Sequence, residues 1–233
     1  IDIVASLYGR SNLGDILQST TGGVFVPVAV GGAVRSVDDA IRLLRHGSDK
    51  VMLNTAATKR PALIGEIAGA IGSQSVCLYV EAKQREWGWE AMTDNAREPS
   101  GRDVVDWVSE AVELGIGEVL LHSVDRDGTG IGYDLDLIRS VSTGLRVPMI
   151  ASGGCGKPEH AVQAVQAGAD AVAIAGYLHY GAMRQVASLE GVSEGNLEFL
   201  KGLRGASPFK GTIRSIKDAL RDAGYSIREV VNA

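Results

Sequence analysis

The sequence predicts an α/β fold: a (β/α)8 TIM barrel of the half-barrel-repeat type, with the first strand and helix missing from this chain. Three observations lead to it. Short apolar runs alternate with helical periods, the composition suits buried parallel strands, and one segment recurs half a domain further on. Of 233 residues, 45% are apolar, only 5% are aromatic and 30 are Gly. Chains rich in Ala, Val and Gly suit parallel strands covered by helices on both faces. The length fits one domain, 1–233, with 181–211 expected as an insertion before the last helix.

Taken in order, Asp2 to Ala5 reads as a buried strand with nothing leading into it, so the missing unit is expected before Ile1. Phe25 to Val30 is the second strand, ended by Gly31 and Gly32. Ser36 and Asp39 have capping-box spacing and open a helix that Gly47 stops. Val51 to Asn54 and Val76 to Val80 follow as strands. Val104, Trp107, Val108, Ala111 and Val112 fall at i, i+3, i+4, i+7 and i+8, the stripe of an amphipathic helix. Val119 to His122, Val147 to Ala151 and Ala171 to Ala175 bring the strand candidates to seven, and Ile213 to Ala223 is the closing helix.

Strand–helix alternation requires a parallel sheet, either open or closed. The repeat favours closure. VPVAVGGAVRSVDDAIRLLRHGSDKV from Val26 lies without gaps on VPMIASGGCGKPEHAVQAVQAGADAV from Val147. It equates Pro27 with Pro148, Gly32 with Gly153, Gly47 with Gly168 and Asp49 with Asp170. With two extra residues allowed, Asp2 falls on Asp125. Two similar halves make an eight-stranded barrel, of which seven strands are visible.

Several function classes drop out. The net charge is −5 and no basic run stands out, which argues against a nucleic-acid partner. Cys77 and Cys155 form no CxxC, so a reduced, cytoplasmic chain is expected. No apolar run approaches the roughly 20 residues of a membrane span. His122, His160 and His179 have no ligand spacing with Cys or acids, so neither a metal nor a cofactor is expected. His160 is expected on a solvated helix face.

In such barrels the loops after the strands form the active face. Gly31-Gly32-Ala33 follows one strand and Ser152-Gly153-Gly154-Cys155-Gly156 its repeat partner. Glycines let backbone N–H groups turn towards a phosphate, although a tight turn is the competing reading. Two such loops at related positions fit a substrate with a phosphate at each end. Asn54-Thr55 and Ala175-Gly176 end the next pair of strands, either completing each phosphate cup or capping a helix. Asp127 and Gly128 offer amides to a phosphate or hydroxyl, with Asp125 bracing the loop. Glu81 ends the run Val76 to Val80, where partial burial would lift its carboxyl towards neutrality for acid–base work. An ion pair with Lys83 is the bland alternative. Lys50 and Glu118 sit at the opposite ends of their strands, where inward charges are costly unless paired or functional.

These residues make the chain resemble the HisF family, the cyclase subunits of imidazole glycerol phosphate synthase. The matching stretches include DIVAS, VPVAVGGAVRSVDDA, DKVMLNTAA, GEVLLHSVDRDGTGIGYDLDLI, VPMIASGGCGKPEH and AGADAVAIA, in order from Asp2 to His179. The resemblance implies a lyase of histidine biosynthesis. It takes ammonia from a HisH-type glutaminase subunit bound at the N-terminal face of the barrel. The substrate is a bis-phosphorylated ribulosyl aminoimidazole carboxamide; the products are imidazole glycerol phosphate and aminoimidazole carboxamide ribotide. It places Ala33, Asn54 and Thr55 at one phosphate and Asp127, Gly128, Gly154, Ala175 and Gly176 at the other. Lys50 and Glu118 become an ammonia gate, and Asp49 an acid near the glutaminase. The family's two catalytic aspartates lie on the first and fifth strands; the first strand is absent here and the second position holds Glu81. Two alternatives remain: a HisF-like subunit conducting ammonia for sugar amidation in surface polysaccharide synthesis, and a HisA-type isomerase.

Overall fold

The computed structural model describes residues 1–2, 13–32, 34–183 and 211–228. Six short parallel strands form a curved sheet in the order β1 (Ala29–Gly31), β2 (Lys50–Leu53), β3 (Val76–Arg85), β6 (Glu118–Ser123), β7 (Met149–Ser152) and β8 (Ala171–Ala173). Asp2 donates its N–H to Gly31 O at 2.8 Å, which puts the start of the chain beside β1. The rest of the expected strand, Asp2 to Ala5, lies outside the described residues, as does nearly all of 181–211.

Helices follow the strands in the expected alternation. α1 (Leu13–Thr20) precedes β1, and α2 (Val37–Arg45) follows it. α3 (Thr55–Lys59) and α4 (Ala62–Ile71) come after β2. α5 (Val104–Glu113), α6 (Leu135–Ser142), α7 (Pro158–Gln166), α8 (Gly176–Met183) and α9 (Ile213–Asp222) complete the outer layer. The apolar stripe of α5 is buried through Val104, Trp107, Val108 and Ala111. These join Val51, Val76, Leu78 and Val119 in the continuous core between sheet and helices. Ser36 caps α2 by accepting from Asp39 N at 3.1 Å, while the Asp39 carboxylate reaches back to Arg35 N at 3.0 Å.

The repeat is visible in the hydrogen bonds. Asp49 accepts from Val28 N at 2.7 Å, and its counterpart Asp170 accepts from Met149 N at 2.8 Å. Gly47 and Gly168 both hold positive φ, at 105° and 117°. One correspondence differs from expectation. A Cβ on Gly32 would lie 2.6 Å from Asp2 O, and one on Gly153 would lie 2.7 Å from Ser123 O. The backbone therefore matches Asp2 to Ser123, keeping the same offset as the rest of the repeat; the gapped match to Asp125 followed acidic identity rather than position.

The structure departs most from expectation after β3. This strand does not stop at Val80 but runs to Arg85 and turns back. β4 (Gly88–Thr93) pairs antiparallel with it, and β5 (Glu98–Asp103) pairs with β4. The resulting hairpin rises over the C-terminal ends of the parallel strands. At the other end of the sheet, β1 is shorter than predicted, and Phe25 is left 94% exposed before it.

Candidate active site

Successive strand residues alternate between core and barrel interior. In β3, Val76, Leu78 and Val80 face the helices, so Cys77, Tyr79 and Glu81 belong to the other face and rise from base to mouth. Glu81 lies opposite His122 of β6 in the parallel register. At the mouth, Glu81 is only 4% exposed, and its Oε2 accepts from Asn54 Nδ2 at 2.7 Å and Ala96 N at 3.2 Å. These bonds, rather than an ion pair with Lys83, hold it. Burial raises its carboxyl above the usual range. Donors from Ala96, Asn54 and Tyr79 oppose the rise, and the nearby Asp94 charge adds to it.

Glu81 opens into a cleft of about 320 Å³. Gly31, Gly32, Asn54 and Thr55 line it, together with Asp2. The structure thus brings together the first predicted phosphate loop, the strand end after it and the predicted acid. Ala33 lies outside the described residues. The cleft also contains groups that sequence reasoning missed: Arg35, Lys59, Tyr79 and Asp94. Lys59 pairs with Asp94 at 3.0 Å, and Thr55 Oγ1 accepts from Asp94 N at 2.9 Å. Asp94 arrives on the β4–β5 turn, far from Lys59 in sequence, so no local pattern could have announced it.

The second predicted group occupies the ends of β6, β7 and β8 on the same face and does not line this cleft. Ser152 Oγ lies 3.1 Å from His122 Nδ1, and Asp127 Oδ2 lies 3.8 Å from His122 Nε2. Burial lowers the His122 pKa, and the Asp127 charge opposes that effect. Gly153 and Gly154 sit where loops meet. A Cβ on Gly154 would lie 2.3 Å from Gly132 O, and Gly132 N–H donates to Gly154 O at 2.8 Å. Gly128 has φ +71° and open space around it. Ala175 and Gly176 are exposed where α8 begins. Asp125 does brace the region, accepting from Gln84 N at 2.7 Å. Asp134 caps α6 through Leu137 N and accepts from the Trp89 indole at 3.1 Å, tying the hairpin to the mouth.

His160 is a correction. It is buried, not solvated, and its Nδ1 accepts from Gly156 N at 3.1 Å. The SGGCGK loop folds back onto α7 and covers a side chain that helical period alone would leave outside.

At the opposite end, Lys50 Nζ meets Glu118 Oε2 at 2.8 Å across the intervening β3. Cys77 lies beside this pair, and burial, reinforced by the Glu118 charge, pushes its thiol up to about 12. It is no nucleophile at neutral pH. Among the described residues, no group of three or more His, Cys, Asp or Glu is placed to hold a metal ion.

A family model described as histidine biosynthesis protein matches residues 1–184. The imidazole glycerol phosphate synthase subunit HisF of Legionella pneumophila is 56% identical over 160 residues, covering 68% of this chain and 76% of its own. The subunit of the same name from Micrococcus luteus is 42% identical over 233 residues, covering 98% and 80%. That of Pyrobaculum aerophilum is 47% identical over 180 residues, covering 77% and 71%.

Proposed function

Because this chain belongs to the HisF family of histidine biosynthesis proteins, we propose that it performs the cyclase step of imidazole glycerol phosphate synthase. In that step ammonia and a bis-phosphorylated ribulosyl aminoimidazole carboxamide yield imidazole glycerol phosphate, aminoimidazole carboxamide ribotide and water. The observation that carries the reading is Glu81: a buried carboxyl group, held by donors that include Asn54 and Ala96, in an open cleft on the C-terminal face. Burial raises its pKa, the direction that acid–base work by a carboxyl group requires.

The remaining assignments are those that the sequence and its family resemblance imply. Gly32, Ala33, Asn54 and Thr55 seat one phosphate, and of these Gly32, Asn54 and Thr55 line the cleft with Glu81. Asp127, Gly128, Ser152, Gly153, Gly154, Ala175 and Gly176 seat the other across the mouth, with the substrate bridging the two sets. Ammonia comes from a glutaminase subunit at the N-terminal face. That face presents Asp49, the Lys50–Glu118 pair and the exposed apolar Phe25 and Val26. The reading places the protein in the cytoplasm with its pathway.

The test is turnover of the bis-phosphorylated substrate with ammonium salt as nitrogen donor. Wild-type protein releases both products, whereas Glu81→Gln loses at least about a hundredfold in kcat, as removal of a positioned acid–base group does. Equal turnover by the two proteins would remove Glu81 from the chemistry. Substrate binding without product would favour the ammonia-conducting role in sugar amidation.

A further inference from the structure

The β4–β5 turn occupies groups that the substrate needs. Asp94, Asn95 and Ala96 hold φ of 52°, 60° and 56° in succession. Left-handed backbone is tolerable for Asp and Asn but strained for Ala, so the surrounding contacts must hold it there. The turn is closed on itself by Arg97 N–H donating to Thr93 O at 3.1 Å and by Thr93 Oγ1 donating to Glu98 O at 3.2 Å, and it is fastened to the cleft by three further contacts. Asp94 N–H donates to Thr55 Oγ1, the Asp94 carboxylate pairs with Lys59, and Ala96 N–H donates to Glu81.

The arrangement is at odds with an anionic ligand. A carboxylate on the rim repels a phosphate dianion, while Lys59, which with Arg35 supplies the cleft's cationic side chains, is already occupied by it. Exchange resolves the conflict. Lys59 is largely exposed, with a side chain at 64%, so its ammonium is free to swing. A phosphate offers three acceptor oxygens and up to two charges where Asp94 offers one charge. We propose that Lys59 is a phosphate-binding residue of the cleft, held by Asp94 in the free protein, and that the substrate phosphate displaces the Asp94 carboxylate from it. The inference rests on the reading of this cleft as the seat of a substrate phosphate. Asp94 then acts as a built-in competitor: it keeps weak anions out and yields to a ligand of higher charge.

The test measures binding of inorganic phosphate and KM for the bis-phosphorylated substrate in Lys59→Met, Lys59→Arg, Asp94→Asn and the double variant Lys59→Met with Asp94→Asn. Asn accepts the same left-handed backbone, so Asp94→Asn removes the charge and leaves the turn intact. Losing one charge-assisted contact weakens phosphate binding about tenfold in Lys59→Met. Lys59→Arg recovers most of it, which a merely structural role would not predict. Asp94→Asn binds phosphate several-fold more tightly, and this gain disappears in the double variant. KM follows the same order, with kcat changed far less. Phosphate affinity unaltered in both Lys59→Met and Asp94→Asn overturns the proposal, as does wild-type protein that binds no phosphate. If binding depends on Lys59 yet no product forms, the proposal stands and the cyclase reading falls. Turnover with a KM indifferent to both residues has the opposite meaning.

Discussion

A carboxylic acid buried at the mouth of a barrel is costly to ionise, and Glu81 bears that cost for its chemistry. Its folded pKa lies above the ordinary value. The stability it contributes is therefore complete below the ordinary carboxylate range and is lost as pH rises through the raised value. Glu81→Gln keeps an oxygen for Asn54 and Ala96 but has no charge to bury. The variant should be more stable than wild type at pH 8 and no more stable at pH 4. Urea midpoints across that range decide it, and a variant less stable at pH 8 would mean that the carboxylate earns its place by hydrogen bonding. Glu81 was legible in the sequence because an acid closing an apolar strand has few places to go but the mouth. Asn54 was legible for a similar reason. Lys59 and Asp94 were not, since their meeting depends on a turn 35 residues away. His160 was misjudged because burial by a distant loop leaves no trace in helical period.

At the scale of elements, the two halves of the barrel solve the same problem with the same residues. Gly32 and Gly153 pass so close to the neighbouring strand end that neither has room for a methyl group. Gly153→Ala adds a Cβ 2.7 Å from Ser123 O at φ +94°, and it should cost roughly 2 kcal/mol or more. Gly128→Ala meets no neighbour and pays only for its φ of +71°, about 1 kcal/mol. Denaturant melts of the pair test this; equal losses would show that conformation, not contact, sets the cost. The ungapped repeat from Val26 made this symmetry readable, whereas the β4–β5 hairpin escaped notice. Its segment GWEAMT…EPSGRD has no long β-branched run, and Pro99 argues against an interior strand. Among the described residues β5 pairs with β4 alone, so an edge position accommodates that proline.

For the whole molecule, the parallel strands run from a charged base to a reactive mouth. The Lys50–Glu118 pair at the base contributes about 1 kcal/mol or less to stability, as partly exposed pairs do. Its larger effect should be on traffic through the barrel. Lys50→Met should lower glutamine-driven turnover with a glutaminase partner more than ammonium-driven turnover; equal losses would make the pair purely structural. The alternation and the repeat announced this polarity in advance. The closing of the mouth by an antiparallel ribbon depended on contacts that sequence spacing does not record. That ribbon also carries its own lamp. Of the three indoles, Trp107 is sealed in the core, Trp87 stands in solvent, and Trp89 is tethered to Asp134 at the cap of α6. Light emitted by Trp89 follows the charge and solvent around its ring, so its colour reports whether the ribbon is seated. A shift in emission as phosphate is added would show, without any label, that the ribbon moves when the Asp94 carboxylate is displaced from Lys59.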